Sequence, residues 1–396
     1  MLIFKLFFIY FLRLIQQWSE ALDESKYVGV VFFDLRKAFD RVWHKGLLVK
    51  LHAAGVRGNA FAWFQSYLSC RQQRTREEGV VSSAAPLGAG VPQGAILSPL
   101  LFIIYVNDIV HTTSASVNLF ADDTSSFLVD SNPSALCTRL QAVVDRLSQW
   151  FDKWLLTVNV EKSAVLAFRQ PRSQPIDLPI TLHGSLIPQV SSHRHLGVIV
   201  NDRLTWCDHV QAIISKAAKH IGILRRYRKR LPALSIRHVY CLSVRPVLEY
   251  ASIVWSGLSK VAANRLESVQ RKAARLISGI HPSNTDIPHN ILLARAGLPT
   301  LSSRRQVEQA VFAFKFIHRI KLPGHLLDTL SHWTMDKPTR CASLRQADKI
   351  RLPRAKKAVL QRSPLYISLS SWNALSSDLK ASVSPSTMRS SLSSDL

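Results

Sequence analysis

Residues 116–129, SVNLFADDTSSFLV, are two short apolar runs separated by a small, acidic turn. That pattern signals a β-hairpin, although Ala-Asp-Asp is not the usual Asn-Gly turn. Upstream, residues 27–34, YVGVVFFD, are an apolar run of β-branched and aromatic residues that ends in a carboxylate. Such a run fits a buried strand. A charge at the end of a buried element is costly unless it is paired or bound to a cation. If the strand and the hairpin lie side by side, Asp34, Asp122 and Asp123 converge. A hard, oxygen-rich site of this type suits Mg²⁺, which typically takes one or two protein carboxylates and leaves room for substrate phosphates. Taken one at a time, Asp34 could instead cap the following helix, and Asp122–Asp123 could be a plain turn.

The flanking sequence supplies helices around these strands. KGLLVKLHAAG and NAFAWFQSYLS read as two helices, the first stopped by Gly55. Residues 79–94 are rich in Gly, Pro and Ser and read as a turn-rich loop. Ser98 and Pro99 look like a cap and first-turn pair for the helix PLLFIIYVNDI. Asn132 and Pro133 open a long amphipathic helix with apolar residues at Leu136, Leu140, Val143, Leu147, Trp150 and Trp154. Short strands follow around AVLAF, ITLHG and HLGVIV. From Trp206 onward the pattern is helical and basic, and the Ser-rich end is expected to fray. The first residues, MLIFKLFFIYFLRLI, resemble a short apolar leader but carry Lys5 and Arg13 and lack a small-residue cleavage site. They are read as buried or spurious rather than as a membrane anchor.

Charge divides the chain. Of 396 residues, 51 are Lys or Arg and 26 are acidic, for a net charge of +25. Residues 1–200 hold 19 basic and 15 acidic residues, whereas residues 201–396 hold 32 and 11. A balanced first half and a strongly basic second half suggest a catalytic core followed by a polyanion-binding region. Nucleic acid is the favoured polyanion, because each neutralised phosphate releases condensed counterions; the plainer reading is a charged, solvated surface. Cys70, Cys137, Cys207, Cys241 and Cys341 show neither zinc spacing nor a disulfide framework.

Five segments occur in one order with sensible gaps: FFDLRKAFDRVWH, GVPQGAILSPLLFIIYVNDI, NLFADDT, LTVNVEKS and HRHLGVIVNDRLTW. The series resembles the palm motifs of reverse transcriptases, and the forms DLxKAFD and FADD look like those of LINE-type (non-LTR) retrotransposons. PVLEYASIVW at 246–255 is similar to a downstream element of such proteins. The resemblance runs from about Trp18 to residue 280. It implies an α+β fold: a right-hand polymerase palm, with an antiparallel sheet backed by helices, followed by a mainly helical, basic thumb. It also implies an RNA-directed DNA polymerase that adds dNTPs to a DNA primer on an RNA template, with two Mg²⁺ ions (Mn²⁺ possible).

Carried over residue by residue, the resemblance makes Asp34 and Asp122 the main metal ligands and Asp123 a third, less essential carboxylate. Phe39 falls where an aromatic ring excludes a ribose 2′-hydroxyl; ordinary core packing is the alternative. Gln93 would contact the incoming nucleotide, with Gly90 and Gly94 letting the backbone approach closely. Lys162 matches a lysine that protonates the leaving pyrophosphate, and could equally be a solvated surface lysine. His195, Leu196 and Gly197 lie in the motif that resembles a primer grip. Asp40 is expected to orient rather than to bind metal, and His44 and His52 to be structural. Arg225, Arg226, Arg228, Lys229 and Arg230 form a basic run suited to a nucleic-acid backbone.

The expected organisation is an apolar leader over 1–17, a palm over 18–203, a basic thumb-like region over 204–280 and a basic helical region over 281–396. Only about 25 residues precede the Asp34 motif, so most of a fingers region is expected to be missing. No endonuclease, RNase H domain or Cys/His cluster is legible. These departures suggest a shortened, weakly active or inactive copy, and a non-catalytic nucleic-acid-binding remnant is the alternative. An unrelated membrane protein and an RNA-templated RNA polymerase are weaker readings; the latter usually carries GDD rather than ADD. A nuclear location follows from the resemblance only.

Overall fold

The computed structural model describes residues 2–170, 173–281, 284, 286–320, 322, 350, 352–382 and 384–395. They form two compact units, one of residues 26–196 and one joining residues 1–25 to 197–396. Cys341, among the cysteines noted above, lies outside the described residues.

The first unit is built on a four-stranded antiparallel sheet. Its strands are β1 (Tyr27–Phe33), β2 (Ser116–Phe120), β3 (Asp123–Asp130) and β4 (Ala164–Phe168), in the spatial order β2-β3-β1-β4. The buried strand expected at 27–34 is therefore central, with every residue from Val28 to Phe33 buried. β2 and β3 form the expected hairpin, but Asp123 is the first residue of β3 rather than part of the turn. Ala121 and Asp122 alone make the turn, with Ala121 at φ +52°.

Helix α5 (Pro133–Lys153) backs the sheet, and its first turn is capped as the sequence requires. The Asn132 side chain accepts hydrogen bonds from the backbone N–H groups of Ser134 at 2.9 Å and Ala135 at 3.4 Å. Leu136, Leu140, Val143, Leu147 and Trp150 are buried, as their spacing demanded. Gly29 allows the helix to close on the sheet, since a Cβ there would lie 2.9 Å from Leu140.

The remaining helices of this unit are α2 (His44–Ala53), α3 (Gly58–Leu68) and α4 (Ser98–Val106). Ser98 does not cap α4, as the sequence suggested. Leu97 occupies the cap position, and the Ser98 hydroxyl donates instead to the Pro92 carbonyl, tying the preceding loop down. The turn-rich stretch pairs with the residues before it: Gln72–Gln73 with Ala85–Pro86, and Arg76–Glu77 with Val80–Val81.

The second unit is helical. It includes α1 (Leu2–Asp23), α6 (Cys207–Tyr227), α7 (Ala233–Val239), α8 (Arg245–Glu249), α9 (Lys260–Ser278), α10 (His289–Ala296) and α11 (Leu301–Ile317). The helices that follow include α12 (Pro364–Asn373) and α13 (Pro385–Asp395). The apolar start of the chain thus forms helix α1. Phe11, Leu12, Leu14, Ile15 and Trp18 are buried. The Asp23 carboxylate accepts from the backbone N–H groups of Lys356 (3.1 Å) and Lys357 (2.6 Å). Among the described residues no helix is long and apolar enough to cross a membrane. The Ser-rich end is helical too, where fraying was expected. Leu365, Leu369 and Trp372 on α12, and Met388 and Leu392 on α13, keep an i, i+4 apolar stripe within the serines and are buried. Buried side chains of this size each contribute about 1.5–3 kcal/mol, enough to order helices of poor intrinsic propensity.

One buried cation stands out in the first unit. Lys50 on α2 lies under the rings of Trp154 (3.5 Å), Trp150 (4.5 Å) and Tyr105 (5.1 Å), and donates to Asp108 at 2.6 Å. Burial pushes its pKa from 10.5 down to about 8, against the pull of Asp108. The unfolded chain then holds the extra proton between pH 8 and 10.5, so this residue makes stability rise with pH across that window. Lys50→Met should abolish that rise. Thermal melts of both proteins through the window test this, and parallel pH dependences would show that the ammonium is not desolvated.

Candidate active site

Strand pairing sets the geometry of the acidic edge. The register of β1 with β3 runs from Tyr27↔Asp130 to Phe33↔Thr124. One step further along the same register, Asp34 comes opposite Asp123. On the other side of Asp34 the chain is clamped by residues 157–163. Leu35 bridges to Val158, the Asn159 N–H donates to the Asp34 carbonyl at 2.7 Å, and the Asp34 N–H donates to the Ser163 hydroxyl at 3.1 Å. Ser163 is itself fixed by donation from its hydroxyl to the Asn159 carbonyl at 2.8 Å. The clamp holds the backbone of Asp34 and carries Lys162 beside it.

A pocket of about 120 Å³ opens at this edge, lined by Phe32, Phe33, Asp34, Asp123, Thr124, Lys162, His193, Arg194 and His195. Burial, then the charges of Asp122 and Asp34, push the Asp123 carboxyl up to about 6. The side chain has solvent access, yet protein on one side and two carboxylates nearby make its charge costly. The opposite wall is aromatic and uncharged. His193 stacks on Phe32 at 4.2 Å, with His195 at 5.0 Å from the same ring. Burial lowers His193 to about 4, and burial with His193 lowers His195 to about 3, so both rings are neutral at physiological pH.

The three aspartates do not close into a finished cage. Among the described residues no group of three or more His, Cys, Asp and Glu is arranged to hold a metal ion. What the edge offers is hard carboxylate oxygen with an excess of negative charge. That fits a cation such as Mg²⁺, which uses one or two protein carboxylates and completes its shell with water or phosphate.

Other residues singled out by sequence lie elsewhere in the same unit. Phe39 stacks on Phe102 at 4.7 Å and is half-buried. Gln93 is exposed and donates to the Asp40 carboxylate at 3.0 Å, so Asp40 orients a neighbour, as anticipated. Gly90, at φ +93°, permits that approach, because a Cβ there would sit 2.8 Å from the Asp40 carbonyl. Gly94, at φ +84°, faces open space. His44 lies 2.8 Å from the Gly90 carbonyl and His52 packs edge-on against Phe61, both structural contacts. None of Phe39, Gln93 or Gly94 lines the acidic pocket. Leu196 and Gly197, following His195, both have positive φ (51° and 83°). Arg225, Arg226, Lys229 and Arg230 are exposed at the end of α6, with Arg228 half-buried.

Sequence reasoning missed Arg194, His193 and Phe32 as pocket residues. All three sit inside the quoted motifs, and the alternation of the strands that carry them was the available signal.

An antiparallel sheet that brings carboxylates from adjacent strands to one edge, with helices behind it, is the palm of a right-hand polymerase. Residues 5–200 match the family model of reverse transcriptases (RNA-dependent DNA polymerases). Over 290 residues the chain is 29% identical to a probable RNA-directed DNA polymerase from transposon BS of Drosophila melanogaster, covering 70% of this chain and 31% of that one. The corresponding enzyme of the X-element, from the same organism, is 30% identical over 293 residues, covering 71% and 32%. That of the mobile element jockey is 28% identical over 300 residues, covering 72% and 32%. The chain therefore spans about a third of the length of these relatives. It belongs to the reverse transcriptase family, in the LINE-type, non-LTR retrotransposon branch.

The charge crowding at Asp123 has a measurable consequence. With a folded pKa near 6 against an ordinary 3.8, stability must fall as pH rises through that interval. Asp123→Asn should stabilise the metal-free protein at neutral pH by about 1 kcal/mol after allowance for solvent screening, with the gain vanishing under acid conditions. Denaturant unfolding in a chelating buffer at both pH extremes measures this. A variant no more stable than the parent at neutral pH would mean that the carboxylates are not crowded.

Proposed function

We propose that this chain is the catalytic core of an RNA-directed DNA polymerase that extends a primer 3′-hydroxyl with dNTPs along an RNA template. The observation that carries the reading is the β1–β3 register, which sets Asp34 opposite Asp123 in a pocket shared with Lys162. Asp34 and Asp122 would hold the divalent ions, with Asp123 in support; two Mg²⁺ are the natural choice and Mn²⁺ a substitute. Bound there, the ions would lower the energy of charge developing on the attacking and leaving oxygens.

The protein's own groups do the positioning on which phosphoryl transfer depends. Lys162, exposed on the rim of the pocket, would deliver a proton to the departing pyrophosphate. Phe39, braced by Phe102, would present a ring edge that excludes a 2′-hydroxyl. Gln93, steered by Asp40, would meet the incoming nucleotide, with Gly94 giving its backbone freedom. His195, Leu196 and Gly197 would guide the primer end, with a neutral imidazole contributing shape rather than charge. The basic run from Arg225 to Arg230 and the net charge of residues 201–396 suit contact with template and primer phosphates. A polymerase that primes on chromosomal DNA would work in the nucleus.

Purified protein given a primed RNA template, dNTPs and Mg²⁺ should extend the primer weakly at most, as a shortened copy would, and Asp122→Asn should abolish that extension without loss of nucleic-acid binding. Extension that survives in both Asp34→Asn and Asp122→Asn would refute the assigned site. Salt-sensitive binding by the parent with no extension would favour the non-catalytic reading, which the basic second half supports. In the same assay Phe39→Val should raise ribonucleotide incorporation by about 10-fold or more, the scale of a steric contact worth a few kcal/mol; unchanged discrimination would reduce Phe39 to core packing.

A further inference from the structure

Helix α3 presents an aromatic face that the acidic pocket does not use. Trp63 and Tyr67, one turn apart, stack with ring centroids 5.1 Å apart and planes within 13°. The Arg71 guanidinium lies over the Tyr67 ring at 5.4 Å, so the three side chains form a ladder at i, i+4 and i+8. Trp63 is the open end of that ladder, 51% exposed. A tryptophan half in water gives up burial energy that a core position would have gained, and it leaves a ring face available.

The surroundings are cationic. From Arg41 to Glu78 the chain carries seven Lys or Arg residues and two acids, Glu77 and Glu78, both in the arm that follows α3. Directly after α3 an exposed arm of paired strands carries Arg74 and Arg76. The arm is anchored at its base by the Leu87 N–H, which donates to the Arg71 carbonyl at 2.8 Å. An exposed aromatic ring beside Arg71, Arg74 and Arg76, which outnumber Glu77 and Glu78, is charge-complementary to one kind of occupant. Stacking rings hold bases without reading sequence, and cations track the phosphates.

We infer that the Trp63–Tyr67–Arg71 ladder, with Arg74 and Arg76, is a binding platform for single-stranded nucleic acid, separate from the residues that line the acidic pocket. A base stacks on the open face of Trp63, and the arm's arginines contact the backbone on either side. The ladder rests on the polymerase reading only for what the strand is used for, such as unpaired template. Its existence as a binding site does not depend on catalysis.

The test is anisotropy of short fluorescein-labelled oligouridine and oligothymidine, titrated with the full chain across a salt series. Trp63→Ala should weaken binding of the single strands roughly five- to a hundred-fold, as loss of one stacked base does, and leave the salt slope unchanged. Trp63→Phe, which keeps a ring, should bind close to the parent. Arg74→Ala with Arg76→Ala should instead lower the salt slope by about 1 or more. If Trp63→Ala keeps its circular dichroism and binds both oligonucleotides with parental affinity, the inference fails. It also fails if that variant changes only the oligomeric state, which would make the face a protein contact. A parent that never extends primers, with the Trp63 effect present, would sink the polymerase reading and leave the platform standing.

Discussion

Like charges crowded at the edge of one sheet are the constraint around which the first unit is organised. A carboxylate opposite another carboxylate, with a third one residue away, is not a conformation that a chain adopts for stability. Burial first, and then the charges of Asp122 and Asp34, push the Asp123 carboxyl up. The sheet tolerates this arrangement because neighbouring interactions fix the backbone independently of the charges. Seven consecutive residue pairs join β1 to β3, five join β1 to β4, and Ser163 and Asn159 pin Asp34 from the far side. Strain of this kind, held by an over-determined surround, is the usual mark of a functional site.

Each support can be traced to a small number of residues. Gly29 lets α5 press against β1, and the alternation of the strand sends Val31 and Phe33 into that core. Phe32, between them, points the other way, where it receives His193 and His195 and forms the uncharged wall of the pocket. A neutral wall facing an anionic edge leaves Lys162 and Arg194 as the pocket's cations. The second unit is organised on different terms. Its core is a set of helices closed by the N-terminal helix, with Asp23 accepting from the backbone at Lys356 and Lys357.

Much of this was legible in the residues. The central strand, the hairpin and the cap of α5 at Asn132 each rest on local chemistry, so periodicity and turn residues sufficed. The acidic edge was legible as well, because carboxylates at the ends of apolar runs have few structural excuses. Ser98 was misread because a serine before a proline has the composition of a cap, whereas its hydroxyl turns back to the Pro92 carbonyl in the preceding loop. The Ser-rich end was misread, and the partners that bury the apolar start were illegible, for a shared reason. Both find their partners through contacts more than 300 residues apart or across helices, such as Gln16 with Leu365, and no local pattern reports those. The pocket wall was invisible for the same reason, since His193 meets Phe32 across about 160 residues of chain.

The account stands or falls on whether the three carboxylates act as one cation site. Electron paramagnetic resonance of Mn²⁺ titrated into the full chain measures this without requiring turnover. The proposed assignment of Asp34 and Asp122 as main ligands predicts Mn²⁺ binding by the parent protein that is strongly weakened in Asp34→Asn and in Asp122→Asn, with a milder loss in Asp123→Asn. Equal Mn²⁺ binding by the parent and by Asp34→Asn would contradict it, because the strand that sets the register would then contribute nothing to the site.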